Sequence, residues 1–123
     1  MVFNILIDNT DGHEKNHALL VDKDQRYRLS PAYDMLPSGQ ALGYQQMRVG
    51  RDGADSTLEN ARSECRSFAL TPAQASVICR EVAAVTQSWK EHFRNVGVTE
   101  RDIALLAEQL DRPFLMDQRR SSQ

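Results

Sequence analysis

The chain of 123 residues is poor in the features that would assign it to a class at sight. It has two cysteines, Cys65 and Cys79, and neither has a second Cys or a His at zinc-finger spacing. Two reduced thiols in helices are the expectation. It has no excess of basic charge: 15 Lys and Arg face 17 Asp and Glu, giving a net charge of -2 and a pI near 5.9. A nucleic-acid surface built from bulk positive charge is therefore not expected. No apolar run approaches the ~20 residues of a membrane span. The opening M-V-F-N-I-L-I-D carries no basic stretch and no small-residue cleavage site, so it does not read as a signal peptide. These absences point to a cytoplasmic, reducing compartment with no membrane association. There is no internal repeat, no G-x-G-x-x-G and no G-x-x-x-x-G-K-[ST].

What is present suits a soluble globular protein: 41% hydrophobic and 26% charged residues, in a length that fits one domain. Such a chain can bury a core without disulfides or metal. The expected fold is mainly α with a small β-hairpin. One unit spans 1–123, divided into a loop-and-hairpin region over 1–55, a helical region over 56–116 and a frayed tail over 117–123.

The apolar run Val2–Ile7 is compatible with a strand or with the end of a buried helix. His17–Val21 and Arg26–Leu29 alternate around a polar turn and read as a hairpin. Pro31 and Pro37 bracket an irregular loop. Residues 38–55 hold four of the six glycines, with a further extended segment at 44–49 and an exposed, mobile loop at 51–55. Ser56 with Glu59, and Thr71 with Gln74 behind Pro72, have the spacing of capping boxes. A helix over about 72–96 would carry Val77, Ile78, Val82, Val85, Trp89 and Phe93 as one apolar stripe and end at Gly97. Thr99 with Asp102 opens a third helix, which stops before Pro113. Arg119 and Arg120 are expected in solvent.

Between the first apolar run and the hairpin lies I-D-N-T-D-G-H-E-K-N, Ile7 to Asn16. Asp22-x-Asp24 begins like a calcium loop, but Arg26 and Tyr27 stand where an oxygen ligand and glycine belong. Asp8, Asp11 and His13 as transition-metal ligands are weak, and a solvated loop accounts for them better. Asp11 and Asn16 have the D-x-x-x-x-N spacing of a phosphoryl-transfer loop, in which Asp takes the substrate hydroxyl proton and Asn gives Mg²⁺ a neutral oxygen. Asp34, beyond the hairpin, would be the second hard-oxygen ligand, with the hairpin setting its distance from Asn16.

N-T-D-G-H-E-K-N at 9–16, followed by Y-R-L-S-P-A-Y-D-M-L at 27–36, closely resembles the signature of HipA-like serine/threonine kinases, the toxins of HipA–HipB toxin–antitoxin modules. The run from Thr71 through W-K-E-H-F to Gly97 resembles their C-terminal region. The resemblance implies a kinase C-lobe fold, with helix rather than strand before Asp8. It implies Asp11 as catalytic base, Asn16 and Asp34 as Mg²⁺ ligands, and His13 and Lys15 as loop-shaping residues, Lys15 also neutralising phosphate charge. It implies ATP and Mg²⁺ as cofactors, a protein substrate such as an aminoacyl-tRNA synthetase, and a DNA-binding antitoxin as partner. Asp8 departs from the small residue, commonly glycine, expected before N-T-D. The family's nucleotide-binding strands, phosphate-covering loop and nucleotide lysine have no counterpart in this sequence, so negligible kinase activity is expected from this polypeptide alone. The alternative is a non-catalytic module that binds an antitoxin or forms a homodimer.

Overall fold

The structure, a computed structural model, describes residues 1–122. Among them are six α-helices and one two-stranded sheet, the mainly α fold with a small hairpin that the sequence implies. α1 (Val2–Leu6) is followed by a 3₁₀ turn at Glu14–Asn16, then β1 (Leu19–Val21) and β2 (Tyr27–Leu29). After a long irregular segment come α2 (Leu58–Ser63), α3 (Pro72–Gln87), α4 (Trp89–Asn95), α5 (Glu100–Leu110) and α6 (Pro113–Ser121). No helix among the described residues is long and apolar enough to cross a membrane.

α1 lies at the centre. It packs on α2, α3 and α6, and both Ile5 and Leu6 have no exposed surface. Five residues cannot hold a helix in water by themselves. Burial supplies the difference, at roughly 1.5–3 kcal/mol for each fully buried Ile or Leu. Ile5 and Leu6 join one core cluster with Val49, Leu58, Ala61, Cys79 and Ala83. Ile7 joins a second with Trp89, Ile103 and Leu110, where Trp89 meets Phe93 edge to face at 5.4 Å. Both cysteines are free and buried.

The predicted stripe of α3 is only partly its core face. Ala75, Cys79, Ala83 and Thr86 are buried, whereas Val77, Ile78 and Val85 are exposed. Small side chains at four-residue spacing let α1 and α6 approach the α3 backbone closely, and larger ones are displaced to its flanks. The predicted single helix over 72–96 is two. Thr86 and Ser88 donate their hydroxyls back to carbonyls three or four residues earlier, Val82 and Ala83 for Thr86, Val85 for Ser88. Such back-bonding bends or ends helices. The break at Ser88 lets Trp89 enter the second cluster.

The caps follow the sequence with one shift. Thr71 and Gln74 form the full capping box, and Thr99 caps α5 through the Asp102 amide. Gly97, at φ +86°, donates to the Arg94 carbonyl, and Val98 donates to that of Phe93, a Schellman end for α4. The cap of α2 is Thr57, not Ser56: Thr57 accepts from the Asn60 amide. Ser56 is buried and takes its hydrogen bond from the Gln45 side chain. The loop expected to be mobile at 51–55 is exposed but pinned to Asn60, which accepts from the Asp52 amide and donates to the carbonyls of Gly53 and Asp55. The extended segment expected at 44–49 forms no strand: Tyr44 makes one isolated bridge to Asp55, and Gly50, just beyond it, makes another to Gly53.

The tail departs most. Residues 117–121 are not frayed; they are the second half of α6. Arg119, expected in solvent, is 2% exposed. Its guanidinium donates to the carbonyls of Leu6 at 3.0 Å and Leu110 at 2.6 Å, closing the C-terminal ends of α1 and α5 together. A buried cation needs such partners. Asp111 stands 3.6 Å away and also receives Trp89 Nε1 and Lys90. Burial works to raise the Asp111 carboxyl, but the hydrogen bonds from Lys90 and Trp89 and the charges of Lys90 and Arg119 hold it below the usual carboxylate value.

Arg119→Met orphans two buried carbonyls and leaves Asp111 short of a partner; the expected loss is about 3 kcal/mol in urea unfolding, or on the order of 10 °C in melting temperature. A melt within ~2 °C of wild type would contradict the latch. The depressed Asp111 carboxyl stabilises the fold above its unfolded value of about 4, and that contribution fades as pH falls through the folded value. Asp111→Asn is therefore expected to separate from wild type at pH 7 and to converge on it near pH 2.

Candidate active site

A solvated loop was the expectation for Asp8, Asp11 and His13, and the first part of the Ile7–Asn16 stretch is instead interior. Asp8, Asn9 and Thr10 are buried, Thr10 to 1% exposure. Buried polar groups are costly unless each finds a partner, and these do. The Asp8 carboxylate accepts from Arg112 Nη1 at 2.8 Å and from the Ala41 amide at 3.0 Å. Thr10 shares a 2.7 Å hydrogen bond with the Ser38 hydroxyl. Asn9 donates Nδ2 to the Asp34 carbonyl at 3.1 Å, and its Oδ1 accepts from the Asp11 amide at 3.3 Å.

From Asp11 the loop surfaces. The His13 carbonyl accepts from the Asn16 amide and starts the 3₁₀ turn that carries Asn16 inward. The hairpin then returns the chain, with Leu19 opposite Leu29 and Val21 opposite Tyr27, and the Ser30 amide closing on the Ala18 carbonyl. Asp22 and Asp24 make its turn: Asp22 Oδ1 accepts from the Asp24 and Arg26 amides, and Asp24 pairs with Arg26. The return places Asp34 beside Asn16. Tyr33 adds a tether, its hydroxyl donating to the Lys15 carbonyl at 2.7 Å. Asp34 adopts φ +55°, which an Asp tolerates better than most residues and which the Asn9 bond to its carbonyl helps hold.

The predicted ligand pair is thus together. Asn16 Nδ2 lies 2.5 Å from Asp34 Oδ2, while Asn16 Oδ1 is buried with no partner. Amide oxygen and nitrogen exchange places on a half-turn of χ2. Turned so, Asn16 would present its oxygen beside the carboxylate, two hard donors of the kind Mg²⁺ takes while keeping several waters. The donor set fits that ion. Among the described residues no cluster of three or more His, Cys, Asp or Glu gathers for a metal, so Asp8, Asp11 and His13 do not form one.

Asp34 lines two clefts. One, of about 180 Å³, is lined by Gly12, Asn16, His17, Leu29 and Tyr33 as well as Asp34. The other, about 240 Å³, is lined by Asn9, Asp11, Ser38 and Gln40 with Asp34. Asp34 thus shares one cleft with Asn16 and the other with Asp11, and Asp11 is exposed. Neither His13 nor Lys15 lines either cleft; both take part through their backbone carbonyls. Sequence reasoning missed Arg112, Ser38 and Asn9's double role. Only Asn9 carried a signal, as an Asn in a turn.

A buried polar loop, a hairpin and an Asn–Asp pair are thus carried on a mainly helical frame. The model of the HipA-like C-terminal domain matches residues 1–89, and the chain belongs to that family. No curated protein matches the chain, and no solved structure does. The match takes in the whole site and α1 to α3, while Arg112 and Arg119 lie beyond it.

Asn9→Ala removes both tethers at once. The expected cost is about 1 kcal/mol from two part-buried hydrogen bonds lost, together with faster hydrogen exchange at the Asp11 amide. An unchanged exchange rate there would mean that the loop does not depend on Asn9.

Proposed function

We propose that this chain supplies the catalytic-loop half of a HipA-like serine/threonine protein kinase, with Asp11 as base and Asn16 and Asp34 as the Mg²⁺-holding pair. The observation that carries this is the approach of Asn16 to Asp34 within hydrogen-bond distance, next to a cleft that Asp34 shares with Asp11. Asp11 is exposed, so a protein hydroxyl can reach it. Its carboxylate takes the proton of a substrate Ser or Thr, a contribution of roughly 10²–10⁴ in rate. Asn16 and Asp34 would hold Mg²⁺, which would supply charge neutralisation for the ATP phosphates. Lys15, with an exposed side chain, is the loop's positive charge and would offset phosphate charge. His13 shapes the turn that delivers Asn16. The site lies open, and phosphoryl transfer depends on clamping the phosphates from several sides. The 123-residue polypeptide by itself is therefore proposed to hold metal and nucleotide weakly and to transfer little. An aminoacyl-tRNA synthetase is the kind of protein substrate that the family likeness suggests, and a DNA-binding antitoxin the kind of partner.

A second reading has its own observation. Leu19, Val21, Tyr27 and Leu29 are all exposed on the hairpin. An apolar cavity of about 440 Å³ opens beside the site, lined by Phe3, Leu36, Val85 and Trp89 among others. Contiguous exposed apolar surface marks interaction sites. An interaction module that binds an antitoxin or itself accounts for that surface without chemistry.

Isothermal titration with Mg²⁺-ATP separates the two. The kinase reading expects measurable binding by the wild-type chain and at least a tenfold loss in Asp34→Ala. Heat that is absent from both proteins would leave the interaction reading. In a phosphotransfer assay with a nucleotide-binding lobe supplied in trans, Asp11→Ala is expected to lower transfer at least about a hundredfold; transfer that persists would remove Asp11 from the role of base.

A further inference from the structure

Asp8 is the least expected residue of the loop. It stands at φ +56°, a conformation that suits glycine, and its side chain is buried. A charged residue in a glycine position needs a compensating interaction. Asp8 has one from each of two distant segments. Arg112, between α5 and α6, donates Nη1 to its carboxylate, and Arg112 Nη2 donates to the Gly39 carbonyl at 2.7 Å. The Ala41 amide donates to the same carboxylate oxygen. The Asp8 carbonyl accepts from both the amide and the hydroxyl of Ser38, at 3.0 and 2.7 Å. One residue thus binds the start of the polar loop to segment 38–41 and to the corner before α6.

That segment is the continuation of Asp34. Its near end is held by the Asn9 bond to the Asp34 carbonyl, and its far end by Asp8 and Arg112. Asn9 also holds the Asp11 amide. The Asp11 cleft is walled by Asp34, Pro37, Ser38 and Gln40, so its width follows from how residues 38–41 dock on residues 8–10.

We propose that the Asp8–Arg112 pair is a positioning device for the site: it sets the register of the 34–41 segment against the loop and so fixes Asp34 relative to Asn16 and Asp11. The inference rests on the metal-pair reading of Asn16 and Asp34. The pair is a long-range one, 104 residues apart in sequence, with Asp8 nearly buried and Arg112 one-quarter exposed. Salt screens such a pair less than it screens surface charges. Outer residues that orient metal ligands typically change affinity by ten- to a hundredfold when removed.

The test uses the full chain with Mn²⁺ as a spectroscopic substitute for Mg²⁺. Free Mn²⁺ is counted by electron paramagnetic resonance, at a temperature where melts show every variant folded. Asp8→Gly keeps the backbone conformation without strain and removes only the carboxylate, so it guards against a variant that fails to fold. About a tenfold loss of Mn²⁺ affinity is expected in Asp8→Gly and in Arg112→Met, with most of it restored in Arg112→Lys. Asp34→Ala is the control that abolishes the site. Folded Asp8→Gly that binds Mn²⁺ as wild type does, while Asp34→Ala does not, would overturn the positioning role and leave the metal pair standing. Wild-type chain that binds no Mn²⁺ would overturn the metal pair. The positioning claim is then read in the metal-free chain from the Asn16 side-chain amide resonance: a shift in Asp8→Gly upholds it, and an unmoved resonance removes it as well.

Discussion

Everything in this fold depends on carrying the chain out of a buried five-residue helix into a buried polar loop. Ile5 and Leu6 drive the burial, and burial brings the following residues inside with them. At that depth water cannot serve the Leu6 carbonyl, the Asp8 carboxylate or the Thr10 hydroxyl, and an unmet group costs about 1–3 kcal/mol. The rest of the chain answers these demands from far away in sequence. Arg119 reaches the Leu6 carbonyl, Arg112 reaches Asp8, and Ser38 reaches Thr10. α6 is thus the cap of α1, although more than a hundred residues separate them.

This explains which parts were legible in the sequence. Local rules worked where the cause was local. Thr71, Thr99 and Gly97 end or begin helices because the partners of their caps lie within a few residues. The hairpin was visible in its alternation and polar turn. Spacing and order singled out Asp11, Asn16 and Asp34, and of these the structure brings the Asn16 and Asp34 side chains together. Reasoning failed where the cause was distant. Arg119 looks like any basic residue near a chain end; nothing in R-R-S-S-Q reveals two carbonyls waiting for it. Ser56 looked like a cap because its demand from Gln45 was invisible. In α3 the large residues suggested the core face, but close approach of α1 and α6 selected the small ones.

The exposed residues obey the same logic from the other side. Leu19, Val21, Tyr27 and Leu29 satisfy their backbone within the hairpin and meet no core. Two three-residue strands are marginal by themselves in water. What holds this hairpin is its ends: Ser30 closes on Ala18, and Tyr33 closes on Lys15. The hairpin is therefore a spacer, a fixed length of chain that starts at Asn16 and returns to Asp34. Its apolar side chains are free to serve another surface.

Two of the five left-handed non-glycine residues among those described, Asp8 and Asp34, lie at the two ends of the short path through the site. Such conformations cost of order 1 kcal/mol or more each and persist only where surroundings over-determine them. Asp8 has four hydrogen bonds to do so, and Asp34 has Asn9 at its carbonyl and Asn16 at its carboxylate. At about 1 kcal/mol net for an ordinary hydrogen bond and more for a charged one, the bonds at Asp8 exceed the strain comfortably, and those at Asp34 exceed it by little. The two ends of the path are consequently unequal. Asp8 is a fixed anchor, while Asp34 is held by two bonds, and a cation at its carboxylate would take the place of the Asn16 bond there.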